Sequence, residues 1–193
     1  MVDPVSVWAS EGCGALSLDG QIERHLTQKE LMQRIESRAT PNQISKHWLS
    51  GLVLRGIGGV RAQPRVVRAS VEGGLHGDRW LDGKANPRDQ VSMMNVNIAH
   101  AIANGQSVAL FGDNLFTNLD LSETALPAGA NIRVGEVQLE VSPEPHVPCD
   151  RFKKRFGSAA FLYAAQHPRV RGIYLTVVRS GMIRLGDPVT VLT

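Results

Sequence analysis

Cysteine is scarce in this chain: its 193 residues contain two, Cys13 and Cys149, which are too few and too far apart for a disulfide framework. Reduced thiols are therefore expected. Aromatic residues make up only 5%, which argues against the stacking platforms that bind single-stranded nucleic acid. Neither sign of charge dominates, with 21 Lys and Arg against 18 Asp and Glu, so an obligate duplex-DNA binder is not indicated. No apolar run approaches the roughly 20 residues that span a bilayer. No secretory leader is recognisable either, and the expectation is a soluble, cytoplasmic protein. The common nucleotide and hydrolase signatures are missing too. "GIGGVR" from Gly56 fails the dinucleotide fingerprint because Arg61 stands at its last glycine position, and there is no Gly-Lys-Ser/Thr phosphate loop. No Gly-x-Ser-x-Gly elbow occurs.

What is present is patterned for one core, since 42% of the residues are hydrophobic. Residues 1-45 read as an amino-terminal helical extension, and residues 46-193 as a single domain. In the extension, "LTQKELMQRIESRATP" places Thr27 as an N-cap with Glu30 three residues later, a capping box, and puts Leu26 and Leu31 at the two hydrophobic-staple positions. The spacing predicts a helix from Gln28 to Arg38, with Leu31, Met32 and Ile35 on one face and Pro41 closing it. Upstream, the glycine-rich "SEGCGALSLDG" predicts irregular chain, with Cys13 as a small loop or packing residue.

From Gly51 the texture changes to short apolar alternations broken by glycine and proline. "GLVLRGIGGV" and "PRVVRASVEGG" read as strands, and "NIRVGEVQLEV" as a hairpin in which Val137, Leu139 and Val141 alternate with polar residues. "GIYLTVVRSGMIRLGDPVTVL" reads as a further hairpin pair, turning at Arg179 to Gly181 and again at Gly186 to Pro188. Two helices interrupt the strands, one from Asn95 to Ala103 capped by Asn95, the other in "SAAFLYAAQHP" capped by Ser158 and stopped ahead of Pro168. The fold class is mainly β, a β-rich α+β chain built as an antiparallel barrel or sandwich with a few short helices.

The candidate chemistry centres on "VSPEPHVPCDRFKKRFG", Val141 to Gly157. Pro148 suits the first turn of a helix, which would set Cys149 near the amino end of that helix. There the dipole, with Arg151, Lys153, Lys154 and Arg155, favours a thiolate. The alternative is a buried, inert cysteine under a solvated cationic face. "GGLHGDRW" packs His76, Asp78 and Arg79 into a tight loop; Arg79 can hold a phosphate or carboxylate with its fork, or simply pair with Asp78 at the surface. His76 can assist proton transfer or merely fill the loop, and His146 has the same two readings. "FGDNLFTNLDL" supplies Asp113 and Asn114 as ligand-facing groups or as turn formers. His146, Cys149 and His167 do not make the four-ligand spacing of a structural zinc site.

The order of "GLHGDR", "RDQVSMMN", "FGDNLFTNLDLSETALPAGANIRVGEVQLEV", "PCDRF" and "GIYLTVVRSGMIRLGDPV" resembles the MOSC domain, named after the carboxy-terminal domain of molybdenum cofactor sulfurases. The resemblance spans Gly51 to Thr193, and the stand-alone bacterial members that detoxify hydroxylated purines look most similar. It implies a strand-rich barrel and matches the family's signature cysteine to Cys149. In members that reduce N-hydroxylated compounds, that cysteine is a thiolate ligand of molybdenum in a pterin cofactor. In the sulfurase context it has been proposed to carry sulfur. The resemblance thus implies Cys149 as catalytic and metal-binding residue. His76, Asp78, Arg79, Asp113, Asn114, Arg151, Lys153 and Lys154 would lie around the cofactor. A family-level association with pyridoxal phosphate comes with it. No four-cysteine iron-sulfur pattern exists in the chain, so electrons would come from a separate partner, or sulfur from a cysteine desulfurase. A non-catalytic module that binds an anionic ligand through "RFKKRF" is the remaining alternative, with nucleic acid the least favoured ligand.

Overall fold

The computed structural model describes residues 24-38, 46-82 and 86-192; Cys13 and the glycine-rich segment lie outside them. Seven strands close into a barrel: β1 (His47–Leu52), β6 (Val91–Asn95), β7 (Leu115–Thr117), β8 (Asn131–Val134), β9 (Val137–Val141), β10 (Ile173–Arg179) and β12 (Pro188–Leu192). Their order around the wall is β1-β12-β8-β9-β10-β6-β7, with β7 returning to β1. Every pairing is antiparallel except β6 with β7, where Met93 lies beside Leu115 in parallel register. The barrel is therefore mixed. The parallel pair follows from α2 (Val96–Ala103), which carries the chain back across the outside of the barrel, as a parallel connection requires.

The 131–141 hairpin forms as its alternation predicts, with Ile132 opposite Leu139 and both buried. The carboxy-terminal segment departs from the expected hairpin pair. β11 (Gly181–Arg184) does not pair with β10 or β12; it leaves the barrel and pairs with β4 (Val66–Ser70), which also holds β5 (Gly74–Leu75). The turns at Ser180 and Gly186 thus move the chain between sheets. β12 then closes the barrel between β8 and β1, and β2 (Leu54–Arg55) forms a short ribbon with β3 (Arg61–Ala62).

Two apolar clusters divide the interior. Leu49, Met93, Leu115, Ile132, Leu139 and Leu175 fill the barrel, while Met94 and Phe116, the next residues along β6 and β7, point outward into a second cluster beneath the helices. Both faces of these two strands are covered, so neither shows the alternation of a half-exposed strand.

The helices seat by local rules. In α1 (Gln28–Arg38), Thr27 N–H donates to Glu30 Oε2 at 2.8 Å and Glu30 N–H to Thr27 Oγ1 at 3.3 Å, while Leu26 and Leu31 enter the outer cluster together. Asn95 caps α2 by accepting from the N–H groups of Asn97 and Ile98. α3 (Asp150–Gln166) is two helical runs joined at Gly157, whose φ of 89° is left-handed. A Cβ there would lie 2.7 Å from Cβ of His25. Glycine is needed both for that turn and for the approach of the segment leading into α1.

Candidate functional site

α3 begins two residues later than a proline at its first position suggests. Cys149 is its N-cap, in extended conformation (φ −111°, ψ 173°), and its carbonyl accepts from Lys153 N–H at 3.0 Å. Pro148 therefore stands outside the helix, and Asp150 opens it with a carboxylate at the positive end of the dipole. The Cys149 residue is exposed, against the reading of a buried, inert thiol.

Beside this helix start lies a cavity of about 460 Å³ lined by Arg61, Arg79, Arg151, Lys154 and Arg155, together with Gly58 and Gly59. No carboxylate among the described residues lines it. Arg61 is the buried member, 5% exposed. Its Nη1 donates to the carbonyls of Gly59 and Val60, each at 3.0 Å, while its buried Nε has no hydrogen-bond partner among the described residues. Burial, then the charges of Arg155, Arg79 and Arg55, bring the Arg61 guanidinium down to about 10. Arg155 is lowered for the same reasons, burial first and then Arg151, with Cys149 acting in the opposite sense. An anion placed here would relieve both repulsion and desolvation. A second cavity of about 470 Å³ shares Gly58 and Arg79 with the first and is walled by Arg55, Trp80 and Tyr174.

Beneath these cavities the polar residues are saturated. Buried Asp78 takes a bidentate fork from Arg55, with Nε at 3.0 to 3.1 Å and Nη2 at 2.8 Å. It also accepts from the N–H groups of Arg55 and Trp80 and from Asn114 Nδ2. Burial works against the Arg55 charge, but its bonds to Asp78 win and hold its pKa above the ordinary value. Asn114 is equally committed: Oδ1 accepts from Ser92 N–H and Oγ, and Nδ2 also donates to the Val53 carbonyl. Asp78 and Asn114 consequently tie β2, the loop after β5, and β6 together under the cleft.

Asp113, fully buried, is paired with Arg171, whose Nη2 also reaches the Phe111 carbonyl. Its other oxygen, Oδ1, faces His146 Nδ1 at 3.5 Å, and the His146 ring stacks on Tyr174 at 4.2 Å. Burial, reinforced by Arg171 and opposed by Asp113, lowers His146 to about 3.

Of the residues singled out from sequence, Arg79, Arg151 and Lys154 meet in one cleft. Lys153 turns away, with Nζ 5.5 Å from the Phe161 ring centre, and borders a separate hollow beside His25. Exposed His76 sits with Nε2 3.0 Å from Ser70 Oγ. Arg155, expected from sequence only as a cation near the Cys149 thiol, also lines the cleft, whereas Arg61 and Arg55 were not among the expected residues. Arg61 carried a signal, a lone arginine closing a glycine-rich run, but it registered only as a failed nucleotide fingerprint.

Among the described residues the chain is thus a closed barrel with a cation-lined cleft beside the start of a helix that an exposed cysteine, Cys149, caps. The family is shown by the sequence itself: the MOSC domain model matches residues 75–190, more than half of the chain, and the protein belongs to the MOSC family. MOSC domains are associated with molybdenum-cofactor binding. Among solved structures, the YuaD protein of Bacillus subtilis is similar at 20% identity and a TM-score of 0.59, covering 75% of this chain and 94% of that one. YiiM of Escherichia coli aligns at 21% identity and a TM-score of 0.53 over 75% of this chain and 69% of its own. YiiM of Geobacillus stearothermophilus aligns at 15% identity and 0.53 over 76% and 75%. At such identities the likeness establishes the fold. The curated proteins contain no significant match. Among the described residues no helix is long and apolar enough to cross a membrane.

Proposed function

We propose that the protein holds a molybdenum-pterin cofactor through Cys149 and reduces N-hydroxylated compounds with electrons delivered by a separate partner. The observation that carries this reading is the exposed Cys149 capping α3, the helix that supplies three of the five cationic side chains lining the neighbouring cavity, a fourth of which, Arg61, is buried with an unpartnered Nε. The residues fit such a group. A thiolate is a soft ligand suited to molybdenum, and clustered guanidinium forks suit a phosphate ester. Among the described residues no set of three or more His, Cys, Asp or Glu forms a metal cage, so the metal's remaining ligands would arrive with the pterin.

When bound, the cofactor supplies the two electrons that, with two protons, convert an N-hydroxyl group to an amine and water. The chain's own residues bind and orient. Arg61, Arg79, Arg151, Lys154 and Arg155 neutralise the phosphate, and Arg79 with Gly58 borders both cavities. Asp78 keeps the Arg55 fork fixed at the wall of the second cavity, and Asn114 ties it to β6. Protein from a host that makes the pterin cofactor, reduced with viologen, is expected to convert benzamide oxime to benzamidine, and Cys149→Ser is expected to lose that conversion. Undiminished conversion by Cys149→Ser would overturn the reading.

The exposure of Cys149 also favours a second reading, a sulfur carrier. In it the Cys149 thiolate attacks the outer sulfur of a desulfurase persulfide and takes it, the S–S bond breaking so that the desulfurase cysteine leaves as a thiolate. Mass spectrometry after incubation with a cysteine desulfurase and cysteine should then find one added sulfur on Cys149, and an unmodified Cys149 would refute the carrier role.

A further inference from the structure

The two cavities that share Gly58 and Arg79 are lined by opposite chemistry. The first presents five cations and, among the described residues, no carboxylate. The second carries two carboxylates, Asp82 and Asp89, beside the rings of Trp80 and Tyr174. Its Arg55 is already matched by the fork it gives to Asp78. The wall between them comes from the glycine-rich run that fails the dinucleotide fingerprint. There Gly58 and Gly59 take left-handed φ values of 69° and 90°, and a Cβ at Gly58 would meet no atom within 4 Å, so this backbone fronts open space. Arg61, which ends the run, lines the first cavity and has no partner for its Nε among the described residues.

Charge decides which end of a ligand enters which cavity. A phosphate monoester brings a charge of about −2, which leaves most of the five cations unmatched. A diphosphate brings more charge, and oxygens enough for a second guanidinium fork. The carboxylates of the second cavity repel such a group and accept hydrogen bonds from donors instead. Asp82 is exposed and makes no hydrogen bond or ion pair among the described residues, and the Asp89 carboxylate accepts only from Trp80 Nε1, at 2.9 Å. Trp80 and Tyr174 offer aromatic surface on which a planar base can stack. Guanine presents adjacent N–H donors on its pyrimidine edge, which match the paired oxygens of a carboxylate. Adenine has a ring acceptor where guanine has the ring N–H.

We propose that the two cavities form one site for a guanine nucleoside diphosphate. The diphosphate lies among the cations, Arg79 holds the phosphate nearer the ribose, and the base lies against Trp80 and Tyr174 with its N–H edge turned to Asp82 and Asp89. The site goes beyond the molybdenum reading. It uses the same cationic cleft, so nucleotide and cofactor would compete for it, but it needs neither metal nor Cys149.

Calorimetric titration of the full chain, made in a host that lacks the pterin cofactor, is expected to give saturable binding of GDP. GMP should bind at least tenfold more weakly, and inorganic pyrophosphate and ADP at least fivefold more weakly. Asp82→Asn exchanges an acceptor oxygen for a donor at an exposed position, so it should weaken GDP at least fivefold and change pyrophosphate affinity less than twofold. Absence of saturable GDP binding, binding of GMP, ADP or pyrophosphate as tight as that of GDP, or an unchanged GDP affinity in Asp82→Asn would each overturn the proposal. Molybdenum content of protein from a pterin-making host separates the two readings. Metal loading without GDP binding removes the nucleotide site alone, and GDP binding without metal loading supports that site and counts against the cofactor.

Discussion

The floor and the rim of the cationic cleft treat buried charge in opposite ways. On the floor, Asp78 receives five donor groups and Asn114 uses both ends of its amide, so every polar atom is matched within the chain. On the rim, Arg61 is as deeply buried as Asp78, yet it faces other cations and leaves Nε without a partner. A saturated network fixes shape, whereas an unsaturated charge retained beside like charges marks the position where a ligand completes the network. The difference separates residues that build this site from residues that would hold something in it.

The sharpest way to break the comparison is to cut the floor. Asp78→Ala leaves the Arg55 guanidinium and the Asn114 amide without their acceptor, and should cost about 3–5 kcal/mol of stability, read as a shift in the urea midpoint. A loss below about 1 kcal/mol would show that the floor is not the scaffold described. Gly157→Ala, which combines a left-handed φ with a 2.7 Å approach to His25, should destabilise by about 1–3 kcal/mol, measured in the same way.

On the rim the expectation reverses. Arg61→Met removes a repelled, desolvated charge, so stability should change by less than about 1 kcal/mol, while affinity for inorganic pyrophosphate measured by calorimetry should fall at least tenfold. Large destabilisation with unchanged pyrophosphate affinity would place Arg61 in the scaffold. Lys153→Ala, whose ammonium lies over Phe161 away from the cleft, should alter pyrophosphate affinity less than twofold.

A pH series sharpens the contrast further. His146 faces Asp113 and lies within the fields of Arg171 and Arg55, against Tyr174. Its folded value of about 3 lies below the ordinary 6.5. Between those two values the unfolded chain takes up a proton that the folded chain refuses, so stability falls as pH drops through this window. His146→Phe should flatten that fall in urea titrations at pH 7, 6, 5 and 4. An identical slope would remove the buried neutral imidazole from the account.

Much of this architecture was readable from short-range rules. Thr27 with Glu30 located the start of α1 at Gln28, Asn95 capped α2 as expected, and the alternation of Val137, Leu139 and Val141 defined a real strand. Other features depended on distant partners. β6 and β7 lack alternation because α2, α3 and α1 cover the face that an ordinary barrel strand shows to water. β11 has the pattern of a hairpin arm but pairs with β4, more than a hundred residues earlier in the chain. At the site, sequence pointed to Cys149, Arg79, Arg151 and Lys154. It could not reveal that Asp78 and Asn114 spend their hydrogen bonds internally, or that Arg61 completes the cation cluster, because hydrogen-bond saturation belongs to the folded arrangement.

The claim that the cleft and its sulfur act together is tested most directly by molybdenum content. Protein purified from a host that makes the pterin cofactor should carry close to one molybdenum per chain, by inductively coupled plasma mass spectrometry. Cys149→Ser and Arg61→Met should each lose most of the metal, while Lys153→Ala should keep it. Full molybdenum in both Cys149→Ser and Arg61→Met would contradict the account.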